Sequence, residues 1–98
     1  MSSPVTVMAR ITAKSGLEDA VFSELVSLVD STRREKGCIT YDLYRCEHDP
    51  AVFMFHETWR SREDLQRHFE MPHLLEFRRK AIEMLVNPAE LSYWDRMC

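Results

Sequence analysis

Residues that break regular structure are scarce in this sequence, which has two glycines and four prolines in 98 residues. Hydrophobic residues make up 45% of the chain and charged residues 30%, which excludes a disordered or low-complexity chain. A chain of this length can build one hydrophobic core but has no room for a second. We therefore expect a single domain over residues 1–98.

Concentrated positive charge is also missing. The 13 lysines and arginines are scattered among 16 acidic residues, for a formal net charge of −3, whereas nucleic-acid binding needs a basic face. No apolar run approaches the ~20 residues that span a bilayer. The first ten residues, MSSPVTVMAR, lack the basic start and apolar core of a signal peptide. Neither nucleic acid nor a membrane is expected as a partner.

Cysteine is the third scarce residue type. Cys38, Cys46 and Cys98 are an odd number of cysteines without CxxC spacing. This argues against a disulfide framework or a zinc knuckle and favours buried or terminal thiols over a catalytic cysteine. The pattern suits a reducing compartment, so a cytoplasmic location is predicted.

The first half of the chain predicts a strand and a helix. Alternation over Val5 to Thr12 indicates a strand that is apolar on one side. Ser15, three residues before Glu18, predicts a capping box. The helix that follows ends in a basic turn before Gly37, and its apolar stripe has helical spacing: Leu17, Val21, Leu25 and Leu28.

The second half predicts a hairpin, a broken helix and a last strand. The strands Cys38–Cys46, with Ile39 and Tyr41 on one face, and Ala51–Trp59 are joined by the turn EHDP. A helix opened by Ser61 breaks at Pro72, because proline cannot donate and disfavours helical geometry before it. It restarts at His73 and ends near Leu85, and Ala89–Met97 follows as a strand. The order β-α-β-β-α-β predicts a ferredoxin-like α+β fold with the helices on one face of the sheet.

Large apolar side chains occupy both faces of this predicted sheet. On the third strand, Phe53, Phe55 and Trp59 point one way, and Val52 and Met54 point the other. A face without helices should be polar in a monomer. Because one patch can bury itself against its own copy, we expect a homodimer. A cavity between sheet and helices would suit a flat aromatic ligand.

The most specific pattern in the sequence has two parts. A strand ends in E-x-W, and the helix that follows contains H-x(4)-H with its second histidine in a P-H-L context. The residues are Glu57, Trp59, His68, Pro72, His73 and Leu74. This pattern resembles the antibiotic biosynthesis monooxygenase family, and residues 36–50 look like the middle hairpin of that family. The resemblance covers essentially the whole chain. It implies a dimeric α+β barrel with a pocket between sheet and helices, and oxygenation of quinols or polycyclic phenols by O₂ without flavin, metal or heme.

Two branches of that family fit poorly. Anthrone-oxygenating members have an asparagine four positions before the tryptophan, where this chain has Phe55. Heme-degrading relatives need an asparagine on the first strand and a histidine on the second helix. This chain has Met8-Ala9-Arg10 and Arg78-Arg79 in those regions. The resemblance therefore implies the quinol-monooxygenase-like branch, which also contains an isomerase of a phosphorylated signalling sugar.

Cofactor-free oxygenation requires a base, because O₂ reacts slowly with a closed-shell phenol until the phenolic proton is removed. A histidine suits this task near neutral pH, and His68 is the first candidate, with His73 second. Alternatively, both histidines cap the broken helix. Their five-residue spacing does not share one helical face, so no metal is expected unless a third ligand lies nearby.

Glu57 shares its strand face with aromatic residues, so its carboxylate should be paired or shifted in pKa. It either orients a histidine or accepts a substrate hydroxyl, or it is a buried partner of an arginine such as Arg10. His56 should face the other way and pack against the helices. The candidate substrate contacts are Trp59, which can equally be core, Phe55, Tyr41 and Arg10.

We thus expect a cofactor-independent monooxygenase that oxidises a small aromatic diol or quinol with O₂. Two alternatives remain open on the sequence. The same pocket and acid/base groups can serve an isomerase of a small sugar-like metabolite. The protein can also be a non-catalytic, dimeric ligand-binding module.

Overall fold

Four strands and three helices follow one another in the computed structural model, which describes residues 3–98; Met1 and Ser2, at the start of the stretch analysed for a signal peptide, lie outside the described residues. The elements are β1 (Val5–Thr12), α1 (Glu18–Arg33), β2 (Cys38–Arg45), β3 (Val52–Trp59), α2 (Arg62–Phe69), α3 (Pro72–Met84) and β4 (Glu90–Trp94). The strands form one antiparallel sheet in the order β2-β3-β1-β4. This is the predicted ferredoxin-like α+β fold.

The predicted alternation of β1 and β3 is confirmed. Val7, Ala9 and Ile11 lie opposite Glu57, Phe55 and Phe53, and this face of the sheet is buried. The apolar stripe of α1 packs on the same face and completes the core with Val21, Leu25 and Leu28. The candidate residue Glu57 therefore lies inside the molecule, on the side that the helices cover.

The break before Pro72 is also confirmed. The Ser61 hydroxyl accepts a hydrogen bond from the backbone N–H of Asp64 at 3.1 Å and so caps α2. This helix ends at Phe69, and α3 begins at Pro72, where a missing N–H costs nothing. The consequence is a change of direction between His68 and His73 that a continuous helix would not allow.

Two local predictions are wrong. Ser15 does not cap α1: the helix begins at Glu18 with Leu17 at the cap position, and the Glu18 carboxylate accepts instead from the backbone N–H of Gly16 at 3.0 Å. Gly16 takes a positive φ of 89°, which glycine adopts without strain. Ile39 does not share a face with Tyr41, because a register shift between Cys38 and Thr40 turns Ile39 outwards.

The face of the sheet away from the helices carries His56, Met8 and Met54. The prediction that His56 lies opposite Glu57 is confirmed, but the prediction that it packs on the helices is wrong, because all helices cover the Glu57 face. Strand β4 is exposed along its whole length, including Tyr93 and Trp94. No helix within residues 3–98 is long and apolar enough to cross a membrane.

Candidate active site

A cavity of about 640 Å³ lies between the sheet and the helices, a volume suited to a small organic ligand. Its wall is mainly apolar, with four ionisable side chains: Tyr41, Glu57, His68 and Arg78. The other lining residues are Ala9, Ile11, Leu28, Phe55, Phe69, Leu74, Phe77, Ala81, Ile82, Leu85, Val86, Asn87, Pro88, Ala89 and Leu91.

Glu57 reaches the cavity from β3. It is 4% exposed, and its Oε1 accepts a hydrogen bond from Nε1 of Trp59 at 3.0 Å. Burial raises the pKa of Glu57 from 4.5 to about 7, against the opposing effect of the Trp59 hydrogen bond. The carboxyl group therefore changes its protonation state near neutral pH and can either donate to or accept from a ligand.

His68 reaches the cavity from the last turn of α2. It is 2% exposed, and its Nδ1 hydrogen-bonds Oε2 of Glu35 at 2.8 Å. A carboxylate can only accept, so Nδ1 carries the proton and Nε2 is left as a basic nitrogen available to the cavity. Burial lowers the pKa of His68 below its usual 6.5, and the Glu35 hydrogen bond partly opposes this shift.

Glu35 also binds the second histidine of the motif. Nε2 of His73 hydrogen-bonds the same carboxylate oxygen at 2.6 Å, and the two imidazole rings lie 6.2 Å apart. His73 itself does not line the cavity, and its side chain is 21% exposed. Neither histidine uses these nitrogens to cap the broken helix; both are held by Glu35.

The loop between α1 and β2 places Glu35 against the histidines. The backbone N–H of Arg60 donates to the carbonyl of Gly37 at 2.9 Å, which ties this loop to the segment before α2. A Cβ atom on Gly37 would overlap the Cβ and Cγ of Asp64, so only glycine permits this approach. Arg33 anchors the other side by donating from Nε to the carbonyl of Tyr41 at 3.1 Å.

Glu35, His68 and His73 also form a donor set that divalent transition metals accept, with ligand atoms all within 4.8 Å of one another. The prediction of no metal rested on the spacing of the histidines within one helix. That premise does not hold, because the break at Pro72 lets both imidazole rings reach the Glu35 carboxylate, which supplies a third ligand. The absence of a metal cofactor stays a prediction.

Aromatic residues pack against His68 and line the cavity. Trp59 is fully buried, does not line the cavity, and packs on His68 with ring centroids 4.6 Å apart. Tyr41 and Phe55 both line the cavity and stack at 4.5 Å. Burial raises the pKa of Tyr41 well above 10, and the charge of Glu57 adds to the shift, so its hydroxyl stays protonated.

Arg10 is not part of this arrangement. It lies opposite Met54 on the exposed face of the sheet, and the hydrogen-bond partner of Glu57 is Trp59. Among the cysteines, Cys38 is half-buried, and burial raises the pKa of its thiol to about 11. At neutral pH this thiol is protonated and a poor nucleophile.

Sequence reasoning missed Glu35, which is 33 and 38 positions from the two histidines. It sits in the basic stretch Arg33-Arg34-Glu35-Lys36 at the C-terminal end of α1. A carboxylate at the negative end of a helix dipole is unfavourable unless something binds it. That unfavourable position was the one feature of the sequence that indicated a binding partner for Glu35.

The raised pKa of Glu57 predicts a pH dependence of stability. The folded state holds the Glu57 proton to about pH 7, whereas the unfolded chain releases it near 4.5. The resulting stabilisation is fully present below about pH 4.5 and is lost as the pH rises through about 7. At about 1.4 kcal/mol per pKa unit, the contribution to the free energy of unfolding is roughly 3 kcal/mol.

In Glu57→Gln this decline of the free energy of unfolding with rising pH should disappear, because glutamine cannot ionise. Urea unfolding at a series of pH values between 4.5 and 8 measures it. Glu47→Gln, in the exposed turn between β2 and β3, is the matched control and should keep the decline. A Glu57→Gln profile parallel to that of the wild type would contradict the assignment.

Comparison with known proteins shows the same architecture and sequence pattern elsewhere. Residues 4–80 match the sequence profile of the family described as antibiotic biosynthesis monooxygenase. The crystal structure of PA3566 from Pseudomonas aeruginosa is 38% identical, with a TM-score of 0.93, and the match covers 100% of this chain and 98% of that one.

Two curated relatives have similar identities. Rv0793 of Mycobacterium tuberculosis, provisionally named a monooxygenase, is 35% identical over 92 residues, which are 94% of this chain and 90% of that protein. The protein sll1783 of Synechocystis is 32% identical over 91 residues, which are 93% of this chain. This chain spans 62% of the length of sll1783.

Proposed function

Because the chain belongs to the antibiotic biosynthesis monooxygenase family, we propose that it is a cofactor-independent monooxygenase that oxidises a small aromatic diol or quinol with O₂. His68 is the general base. The observation that carries this proposal is the hydrogen bond from His68 Nδ1 to Glu35, which leaves Nε2 unprotonated beside an apolar cavity. The proposal assigns the protein to the quinol-monooxygenase-like branch of the family.

The reaction begins with proton transfer from a substrate hydroxyl to Nε2 of His68. Glu35 stabilises the imidazolium that forms, because a carboxylate next to the cation offsets the cost of charging a buried ring. The quinolate then transfers one electron to O₂, giving superoxide and a semiquinone radical. The aromatic walls formed by Phe55 and Tyr41 favour this step, since the flat ring can stack there.

Recombination of the two radicals at a ring carbon forms a C–O bond. His68 returns its proton to the resulting peroxide, and loss of water leaves a hydroxyquinone. For hydroquinone the balance is C₆H₆O₂ + O₂ → C₆H₄O₃ + H₂O, so the substrate loses four electrons and dioxygen gains them. The protonated form of Glu57 can donate to the departing oxygen, because its pKa near 7 keeps a proton available.

Oxygen uptake with a panel of hydroquinones tests this proposal, with product identified by mass spectrometry in ¹⁸O₂. We expect one labelled oxygen in the product and one in water, and equal rates before and after EDTA treatment. No uptake with any quinol would refute the reaction. Turnover that continues without oxygen would favour an isomerase, and ligand-induced thermal stabilisation without product would favour a binding module.

We also propose that the protein is a homodimer. The support is the amount of apolar side chain that remains exposed on β4, where Tyr93 is 46% and Trp94 is 59% exposed. A second copy of the chain can cover this surface on both subunits at once. Sedimentation velocity at micromolar concentration is the measurement, and a monomer there would refute the pairing.

A further inference from the structure

Arg78 is the one lining residue of the cavity that is permanently charged. It lies on α3 at the mouth, where the lining residues are exposed: Arg78, Ile82, Val86, Asn87 and Leu91. Within residues 3–98 the arginine ion pairs are made by Arg33, Arg34, Arg67 and Arg79, and Arg78 is not among them. Arg78 is therefore a cation at the edge of an apolar cavity that makes no ion pair with a carboxylate of the described residues.

The guanidinium is also held in place. Its carbon lies 5.4 Å from the centroid of the Phe69 ring, which lines the same cavity. An arginine held over an aromatic face keeps its N–H groups free in the plane of the guanidinium, where they can bind both oxygens of a carboxylate. The contact with Phe69 thus orients Arg78 without using its hydrogen-bond donors.

Burial disfavours the charged form of each ionisable group in the interior of the cavity. The pKa of Glu57 is raised to about 7, that of His68 is lowered, and that of Tyr41 is raised, each chiefly by burial. Tyr41 and Glu57 reach the cavity from the sheet, on β2 and β3, and His68 reaches it from α2. The permanent positive charge of the cavity wall thus lies on α3, whereas the groups assigned to the proposed chemistry favour their neutral forms.

Building on the monooxygenase function above, we propose that the substrate carries a carboxylate on its aromatic ring and that Arg78 binds this group at the mouth of the cavity. The ring then lies along the apolar wall with a hydroxyl directed towards His68. A volume of about 640 Å³ accommodates such a molecule. The substrate class is that of hydroxylated aromatic acids.

Binding measured without turnover tests this inference. Isothermal titration under argon compares 2,5-dihydroxybenzoate with hydroquinone, which has the same ring and hydroxyls but no carboxylate. We expect the wild type to bind the acid at least about tenfold more tightly, as a charge-assisted hydrogen bond predicts. In Arg78→Gln the ratio of the two affinities should fall to about one.

Arg79→Gln is the matched control, because Arg79 is adjacent in sequence but pairs with Glu76. It should keep the preference for the acid. Equal affinities for the two ligands in the wild type, no binding of either, or equal losses in Arg78→Gln and Arg79→Gln would each overturn the role of Arg78. Both variants change exposed side chains, and thermal melts verify that they fold.

The titrations separate this inference from the proposed reaction. A preference for the acid without any O₂ uptake would refute the monooxygenase and leave the role of Arg78 in place. Uptake with hydroquinones together with no preference for the acid would refute only the role of Arg78.

Discussion

Replacing His68 with asparagine should lower kcat/KM for quinol oxidation by about 10²–10⁴-fold, the usual contribution of a positioned general base. Asparagine is the informative substitution, because its amide nitrogen can occupy the place of Nδ1 and still donate to Glu35. It has no basic atom where Nε2 faces the cavity. The hydrogen bond to Glu35 is thereby kept while the proton acceptor is removed.

The pH profile of kcat/KM distinguishes a base from a merely structural histidine. In the wild type the rate should fall at acidic pH as His68 becomes protonated, at a value below the usual histidine pKa of 6.5 because burial lowers it. This acidic limb should be absent in His68→Asn. Any change of kcat/KM near pH 7 that is lost in Glu57→Gln is due to the ionisation of Glu57 instead.

His73→Gln is the matched control for His68→Asn, because the glutamine amide nitrogen can occupy the place of Nε2 and still donate to Glu35. His73 binds the same oxygen of Glu35 but does not line the cavity. We expect a smaller loss of rate than in His68→Asn and an acidic limb that persists. Equal rates in the wild type and His68→Asn would remove His68 from the mechanism.

The second large effect is expected for Glu35→Ala, which leaves two imidazole N–H groups without their acceptor. One of them belongs to His68, which is 2% exposed and cannot turn to water. An unsatisfied buried donor costs about 1–3 kcal/mol. The free energy of unfolding, measured in urea, should fall by an amount in this range.

Glu35→Gln separates the charge of Glu35 from its shape. Glutamine keeps a carbonyl oxygen as an acceptor, so the loss of stability should be smaller than in Glu35→Ala. Its neutral amide cannot stabilise the imidazolium as a carboxylate does. Since a hydrogen bond to a charged group contributes about 1.5–3 kcal/mol, kcat/KM should fall by roughly 10- to 150-fold.

A positioning role for Glu35 predicts a further shift that a structural role would not. The Glu35 hydrogen bond and charge both raise the pKa of His68. Without that charge, the acidic limb of the rate profile should move to lower pH in Glu35→Gln. Glu24→Gln is the control, because Glu24 makes a partly exposed ion pair with Lys80 at 3.1 Å, away from the cavity. It should lose no more than about 1 kcal/mol of stability and keep the wild-type profile.

Local patterns in the sequence were sufficient wherever the controlling interaction spans a few residues. Alternation along β3 places Glu57, Phe55 and Trp59 on one buried face, as the structure confirms. The break at Pro72 follows from the missing N–H of proline. The same alternation puts Arg10 on the face opposite Ala9 and Ile11, so its distance from the cavity was already implicit in the sequence.

Where the controlling contact is distant or depends on backbone irregularity, the sequence was insufficient. The bulge that turns Ile39 outwards has no residue signature in the strand. The cap at Ser15 was plausible, but Gly16 forms a turn in which Glu18 binds the backbone instead. Both outcomes depend on how neighbouring segments pair and turn.

The sequence by itself determined the order of the elements, the buried face of the sheet and the presence of two histidines around a helix break. Only the tertiary structure decided that these histidines share Glu35, because their contact depends on the packing of the α1–β2 loop against α2 at Gly37. It also decided that His68 lines the cavity, whereas His73 does not, and that Arg78 lies over the Phe69 ring at the mouth. The physical reason is range: side-chain alternation and proline act between neighbouring residues, while a shared carboxylate joins positions more than thirty residues apart.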